Sequence, residues 1–175
     1  MKFCEQSISG VFIIDSEPFI DERGAFRRHF CKEEFKKNGI DHIVEQANVS
    51  ENKFAYTLRG FHYQLPPFGE GKTLSCLNGK IFDIVVDLRK DSATFMSWIS
   101  VELSHQNRRS LHVPPGCGNA FLTMEDNSLI QYYCSKSYEP AAERGIRYDD
   151  PAFNFSWPVE PKIISEKDQN HPNFK

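Results

Sequence analysis

Residues 58–67 read LRGFHYQLPP, a strand-like run with two side chains suited to polar chemistry, Arg59 and His62. Histidine can take or give a proton near neutral pH, and a guanidinium can bind an anion through several N–H groups. Side chains alternate across a strand, so Arg59 and His62 would point to opposite faces. Gly60 lies between them, and a glycine inside a strand often marks a bulge, which re-aims one side chain. We therefore predict that both residues face one cavity.

Other candidates each have a plain structural alternative. Lys72 follows the segment PPFGEG and begins the next strand, where most lysines are surface residues. Tyr132 and Tyr133 are neighbours on a strand and must face opposite sides, so one of them can line a cavity. Asp168 would ordinarily be a solvated carboxylate, and His62 itself could be a hydrogen-bonded structural histidine. Residue types and spacing alone thus predict a polar cavity containing His62, with Lys72 and one tyrosine as candidates.

Six histidines raise the question of a bound metal ion. A β-barrel of the cupin type normally binds its metal through an H-x-H pair, a downstream glutamate and the histidine of a P-x-G-x-x-H turn. Here the first element offers only His62, and residues 114–119 read PPGCGN, with Asn119 in place of the histidine. Three nitrogen or carboxylate ligands cannot be assembled from these positions, so we predict no metal.

Length and composition restrict the class of protein. A chain of 175 residues fits one domain, 1–175, and a net charge of −3 gives no support to a nucleic-acid partner. Its five cysteines include no C-x-x-C pair, which indicates reduced thiols and a cytoplasmic location. No window approaches the roughly 18 apolar residues of a membrane span, and the amino terminus lacks a signal core, so we expect no membrane association.

Short segments with period-two alternation recur along the chain, which predicts an all-β sandwich or barrel. Asn78-Gly79 lies between two such segments and predicts a type I′ hairpin. In KIFDIVVDL (80–88), one face carries only apolar residues and should be core, whereas the other mixes aspartates with aliphatics, as a cavity wall would. The segment CKEEFKKNG (31–39) predicts a short helix closed by Gly39, and the last 25 residues should wrap the body as loops.

Eight motifs in collinear order, covering nearly the whole chain, resemble the dTDP-4-dehydrorhamnose 3,5-epimerase family. They are DERGAF (21–26), EQANVS (45–50), LRGFHYQLPP (58–67), GKTLSCLNGKIFDIVVDLRKDSATF (71–95), VPPGCGNAF (113–121), YYCSKSYEP (132–140), YDDP (148–151) and SEKD (165–168). The resemblance implies a cupin-like jelly roll with short peripheral helices, no metal and no cofactor. It also implies a homodimer in which N-terminal strands contribute to the partner's sheet.

The resemblance further implies inversion of carbons beside the ketone of a nucleotide-linked 4-keto sugar. A hydrogen on carbon 3 or carbon 5 lies α to the carbonyl, so a base can remove it if the enolate is stabilised, and inversion needs a proton from the opposite face. By resemblance the base is His62, Asp168 orients it, Tyr132 donates the proton and Lys72 stabilises the enolate. Arg59 matches a residue that binds the diphosphate. Further matches to substrate-contacting positions are Arg23, Gln46, Asn48 and Asp83.

Several positions depart from the family pattern. Asn119 and Ala120 stand where the family usually carries histidine and glycine, Arg28 stands where many members have a glutamate, and Ser137 occupies a position that is often aromatic. Arg28 and Asn119 are therefore candidates for altered substrate contacts. Asparagine can hydrogen-bond a sugar but cannot carry a proton near pH 7. We expect an epimerase of the same chemistry on a different nucleotide sugar, which inverts carbon 3, carbon 5 or both and serves surface polysaccharide synthesis by analogy.

Two alternatives stay open at the level of sequence. A cupin-like 3,4-ketoisomerase also moves protons beside a sugar ketone, but its product has a shifted ketone instead of an inverted centre. A non-catalytic nucleotide-sugar binding module could use the same scaffold. The presence of His62, Lys72 and Tyr132 weighs against a binding module, because such a module needs no acid/base pair.

Overall fold

The computed structural model describes residues 1–41 and 43–175, and these form fourteen strands and two short helices. The strands are β1 (Lys2–Glu5), β2 (Phe12–Asp15), β3 (Phe19–Asp21), β4 (Gly24–Phe26), β5 (Gln46–Asn52), β6 (Thr57–Gln64), β7 (Lys72–Asn78), β8 (Lys80–Asp87), β9 (Trp98–Ser104), β10 (Arg109–Val113), β11 (Cys117–Thr123), β12 (Ser128–Cys134), β13 (Glu143–Gly145) and β14 (Ile163–Ile164). The helices are α1 (Lys32–Lys37) and α2 (Glu166–Gln169).

Most strands belong to two sheets packed face to face. One sheet has the order β1-β2-β10-β7-β12-β5, and the other has the order β13-β6-β11-β8-β9, with β14 pairing in parallel to β6. Leu74 and Ile130 of the first sheet pack against Ile81 and Val85 of the second in one buried apolar cluster. Successive strands lie in opposite sheets from β5 to β8 and again from β9 to β12, which is the jelly-roll arrangement. The predicted all-β, cupin-like fold is therefore confirmed.

The two faces of β8 are both packed. Ile84 and Val86 contact a second apolar cluster that includes Phe153 of the carboxyl-terminal segment, as the apolar face predicted. The mixed face does not form an open cavity wall as expected. Ile81 and Val85 lie in the core between the sheets, and the carboxylates of Asp83 and Asp87 on the same face are fully buried.

The prediction of a hairpin at Asn78-Gly79 was wrong. β7 and β8 belong to different sheets and do not pair with each other in the described part of the chain. Gly79 has φ +76°, and a Cβ added there would meet the side chain of Ser128, so the glycine is required by the close approach of this connection to the start of β12. Asn78 is not among the residues with positive φ, which a type I′ turn would require.

Local predictions outside the sheets fared better. Helix α1 lies where the sequence predicted it, buries Phe35, and is followed by Gly39 with φ +80°. The last 25 residues wrap the body as predicted, with Phe155 stacked on Phe61 at 4.4 Å between ring centroids, but they contain β14 and α2 and are not only loops. Among the described residues, no helix has the length and apolar character needed to cross a membrane.

Candidate active site

The bulge predicted at Gly60 is present in β6. His62 pairs with Asn119 of β11 whereas Arg59 pairs with Phe121, so β6 carries one extra residue between the two pairs. Gly60 has φ +115°, and a Cβ there would lie 2.6 Å from the carbonyl oxygen of Asn119. Only glycine fits this position without displacing β11. As predicted, Arg59 and His62 line the same cavity.

That cavity has a volume of about 610 Å³ and lies between the two sheets at the end closed by β14 and α2. Six of the residues singled out in the sequence line it: Arg59, His62, Lys72, Asn119, Tyr132 and Asp168. Apolar side chains, among them Leu74 and Phe121, provide the remaining walls. A cavity with a few convergent polar groups has the character of a small-molecule site.

His62 and Asp168 form a hydrogen-bonded pair. His62 Nε2 lies 2.8 Å from Asp168 Oδ1, and Asp168 Oδ2 accepts the backbone N–H of Gly60 at 3.2 Å. Asp168 lies on α2, whose first turn is capped by Ser165: the Asp168 N–H donates to Ser165 Oγ at 3.1 Å. The carboxylate is only 6% exposed, whereas the imidazole is 34% exposed and reaches the cavity.

The electrostatics of Asp168 favour its ionised form. Burial acts to raise the pKa of its carboxyl group, but the hydrogen bond and charge of His62, with the donors of Gly60 and Ser165, lower this pKa below its usual value. An ionised Asp168 accepts a hydrogen bond from the N–H of His62 Nε2, so the other ring nitrogen of a neutral His62, Nδ1, carries the basic lone pair.

Lys72 is held by a carboxylate that the sequence analysis missed. Its ammonium lies 3.0 Å from Glu70 Oε1 and 3.4 Å from the backbone carbonyl oxygen of His62, and both side chains of the ion pair are largely buried. Glu70 lies in the same PPFGEG segment that brings Lys72 to the cavity. A carboxylate two residues before a candidate cation was the signal available in the sequence.

Tyr132 and Tyr133 face opposite sides of β12, as alternation requires. Tyr132 lines the cavity, and burial is the main cause that raises the pKa of its phenol. Tyr133 packs on the other side against Phe30, with ring centroids 5.9 Å apart. Of the two phenols, only Tyr132 can therefore reach a molecule in the cavity.

Asn119 and Asp83 form a pair at the cavity wall. Asn119 lines the cavity, and its Nδ2 donates to Asp83 Oδ2 at 3.1 Å. Asp83 does not line the cavity and is fully buried behind Asn119, which corrects its expected place as a substrate contact. Burial raises the pKa of Asp83 well above its ordinary value, although the Asn119 amide and the Lys72 charge act in the opposite direction. Asp83 Oδ1 has no hydrogen-bond partner among the described residues.

Arg59 is fixed by a neighbouring strand. Its Nε donates to Asn52 Oδ1 at 2.7 Å, and the Asn52 amide in turn donates to the carbonyl oxygen of Ser128 at 3.2 Å. Asn52 is buried, so this network holds the arginine stem while the other guanidinium nitrogens stay available to an anion. Asn52 was also missed in the sequence, where it ends an unremarkable polar strand.

Four predicted substrate contacts do not line the cavity of this chain: Arg23, Arg28, Gln46 and Asn48. Arg23 lies in the turn of the β3–β4 hairpin and pairs with Asp21, and Arg28 pairs with Glu34 of α1. Both arginines belong to a segment outside the two sheets, which explains their distance from the cavity within one chain. Gln46 and Asn48 lie on β5, where Gln46 Nε2 donates to Asn48 Oδ1 at 2.9 Å.

His171 is a further residue that the sequence analysis did not single out. It follows α2, and its Nε2 lies 3.9 Å from Asp168 Oδ1, on the carboxylate that His62 also contacts. The His62 and His171 ring centroids are 6.3 Å apart. The signal in the sequence was a histidine three residues after a candidate carboxylate, which places both near one end of a short helix.

Comparisons with known proteins identify the family of this chain. A family model described as dTDP-4-dehydrorhamnose 3,5-epimerase matches residues 5–175. A relative of that name from Methanothermobacter thermautotrophicus is 39% identical over 172 residues, which cover 97% of this chain and 92% of the relative.

Solved structures show the same fold. The dTDP-4-dehydrorhamnose 3,5-epimerase of Bacillus anthracis, with TDP and pyrophosphate bound, superposes with a TM-score of 0.96 at 33% identity over 99% of each chain. A 3′-monoepimerase from Streptomyces bikiniensis in complex with dTDP-quinovose gives a TM-score of 0.90 at 34% identity, covering 97% of this chain and 86% of that one. On sequence and fold together, the chain belongs to the dTDP-4-dehydrorhamnose 3,5-epimerase family.

Proposed function

We propose that residues 1–175 act as one epimerase domain that inverts carbon 3, carbon 5 or both of a nucleotide diphosphate-linked 4-keto sugar. The hydrogen-bonded pair His62–Asp168, in a cavity that Tyr132 lines from the other sheet, is the observation that carries this proposal. A base on β6 and a phenol on β12 approach a bound sugar from facing sheets. Inversion needs this arrangement, because the proton leaves one face of the ring and arrives on the other.

Each polar group then has a defined task. His62 Nδ1 takes the proton α to the ketone, and the Asp168 carboxylate stabilises the imidazolium that forms. The Lys72 ammonium, held by Glu70, stabilises the developing enolate oxygen. The Tyr132 phenol returns a proton to the opposite face, and the Arg59 guanidinium binds the diphosphate.

Asn119 bears on which carbons are inverted. Its amide can hydrogen-bond a sugar hydroxyl or the ketone, but it cannot relay a proton, and Asp83 behind it favours the neutral form. Two inversions require the sugar to present carbon 3 and carbon 5 in turn to the same base. We propose that the Asn119–Asp83 pair favours a single inversion.

Product analysis tests the reaction and its position. Because the relatives are named for dTDP sugars, the first substrate is a dTDP-linked 4-keto-6-deoxyhexose. NMR of the product should show an inverted centre at carbon 3 or carbon 5 with the ketone still at carbon 4. A ketone moved to carbon 3 would indicate a ketoisomerase, and tight binding without any conversion of several such sugars would indicate a binding module. Either result would overturn the proposal.

We also propose that two chains assemble with exchange of the β3–β4 hairpin. This hairpin pairs with neither main sheet among the described residues and exposes Phe19, Ile20 and Phe26 at 67%, 65% and 79% of their surface. Such an apolar arm favours burial against another chain. Arg23, at its turn, would then reach the partner's cavity.

The assembly has a direct test. Sedimentation should give the mass of a dimer for the wild-type protein, and Phe26→Asp should shift the equilibrium toward monomer. Phe54→Asp is the matched control, since Phe54 is also exposed but lies outside the hairpin. A wild-type monomer at micromolar concentration would contradict the dimer, and equal masses for both variants would contradict the role of the hairpin.

A further inference from the structure

Three potential metal ligands converge beside the cavity, two of which line it. His62 comes from β6, Asp168 from α2 and His171 from the segment after α2, and their ligand atoms all lie within 4.8 Å of one another. Asp168 Oδ1 is the shared centre, 2.8 Å from His62 Nε2 and 3.9 Å from His171 Nε2. Of these three only His62 is among the cupin positions considered above, and together they supply the two imidazoles and one carboxylate that zinc accepts.

The state of His171 Nε2 points to a ligand. This atom is buried and has no hydrogen-bond partner among the described residues, which is costly for a polar group. The ring is held in place, because it packs so closely on Gly145 that a Cβ there would collide with Nε2. A metal ion between the two imidazoles would satisfy this nitrogen without moving the ring far.

The local charge also favours a cation. Asp168 and Glu143 are acidic groups that act on His171, and the Lys167 ammonium beside them is already paired with Glu143. With both imidazoles neutral, these groups sum to one negative charge.

We propose that His62 Nε2, the Asp168 carboxylate and His171 Nε2 form a site for Zn²⁺, and that the bound ion inhibits the enzyme. When the ion coordinates the lone pair of His62 Nε2, the proton of the neutral ring moves from that nitrogen to Nδ1. Nδ1 then has no basic lone pair, and the charge of the ion opposes a second protonation of the ring. Solvent at the fourth coordination position faces the cavity, because His62 is the exposed member of the three.

Binding can be measured without substrate, so it does not depend on the proposed epimerase activity. The probe is ZnCl₂ in isothermal titration calorimetry of untagged, chelator-stripped protein, with Cys4 and Cys31 replaced by serine to remove accessible thiols. We expect one strong Zn²⁺ site per chain. The Zn²⁺ affinity of His171→Asn should be at least about 10-fold lower, because loss of a ligand's hydrogen-bond partner already costs about this much and loss of the ligand itself should cost no less. His105→Asn, at an exposed histidine outside the cavity, is the matched control.

The inhibition measurement is the part of the test that depends on the proposed function. Zn²⁺ should inhibit the wild-type and His105→Asn proteins and be reversed by chelator, with a half-inhibiting concentration at least about 10-fold higher in His171→Asn. Each rate is compared with that of the same variant in chelator. His171→Gln repeats the measurement if His171→Asn melts at a lower temperature. Equal Zn²⁺ affinity in His171→Asn and His105→Asn would overturn the site, whereas Zn²⁺ binding by a protein without epimerase activity would overturn only the proposed function.

Discussion

One carboxylate joins the candidate base to the bulge that aims it: Asp168 binds His62 Nε2 through Oδ1 at 2.8 Å and the Gly60 N–H through Oδ2 at 3.2 Å. The side chain that sets the tautomer of His62 therefore also fixes the backbone two residues before it. Because Ser165 caps α2 beside Asp168, the carboxyl-terminal segment controls the geometry of a base that lies 106 residues earlier in the chain.

Asp168→Asn should reduce turnover strongly while leaving the fold intact. The amide is nearly isosteric, but its NH₂ group can face His62 Nε2 only if the imidazole proton moves to Nδ1, which removes the base. By analogy with other histidine–carboxylate pairs, we expect kcat to fall by about 10²- to 10⁴-fold. The matched control is Asp149→Asn, an exposed carboxylate outside the cavity. Equal rates for the two variants would remove Asp168 from the mechanism.

Gly60→Ala should destabilise the protein by about 1–3 kcal/mol and reduce activity. A Cβ at this position would meet Asn119 O at 2.6 Å and Ala120 Cα at 2.7 Å, in a backbone conformation with φ +115°. Gly24→Ala separates steric overlap from backbone strain, because Gly24 has φ +120° but nothing lies within 4 Å of an added Cβ. Urea unfolding should show the larger loss at Gly60. Similar losses would mean that backbone strain alone matters.

The parts of this fold that could be predicted are those set by local chemistry. Period-two alternation gave the strands, Gly60 indicated the bulge, and Gly39 indicated the end of α1. Asn78-Gly79 misled because a hairpin also needs its flanking strands to pair, and here they pair in different sheets. Non-local pairing of this kind is not encoded in a short window.

The candidate site was predictable only in part for a related reason. His62, Lys72 and Tyr132 could be chosen by residue type and by resemblance, and all three line the cavity. Glu70 and His171 were missed, because an ionisable residue in a polar loop is unremarkable until packing buries it beside another charge. Asp83 was expected to contact the substrate, but it is fully buried behind Asn119 and does not line the cavity.

Asp83→Asn should change how stability depends on pH. The folded protein holds a proton on Asp83 to a higher pH than the unfolded chain, because burial raises its pKa. The stability from this group is present below the unfolded pKa of about 3.9 and is lost as pH rises toward the folded value. Relative to wild type, the free energy of unfolding of Asp83→Asn should therefore increase by up to about 1.4 kcal/mol per pH unit above about pH 4. Urea unfolding across this range tests it, and a constant difference between the two proteins would contradict it.

Tyr132→Phe should separate proton removal from inversion. His62 can still exchange the α-proton with solvent on its own face, but no phenol remains to protonate the other face, so epimerisation should fall by about 10²- to 10⁴-fold. Tyr133→Phe is the control, since Tyr133 packs against Phe30 outside the cavity. Product NMR and deuterium content are followed in the same sample. Normal inversion by Tyr132→Phe would assign the proton donor elsewhere.

Deuterium uptake by the sugar tests the central claim, that His62 is the base of an epimerase, most directly. The wild-type protein and His62→Asn are incubated with a dTDP-linked 4-keto-6-deoxyhexose in deuterated water, and the mass of the product sugar is measured by mass spectrometry. We predict that wild type adds one mass unit through exchange at a single carbon beside the ketone, and that His62→Asn adds none above the enzyme-free rate. A gain of two units would contradict the single inversion, and near-normal exchange in His62→Asn would contradict the role of His62.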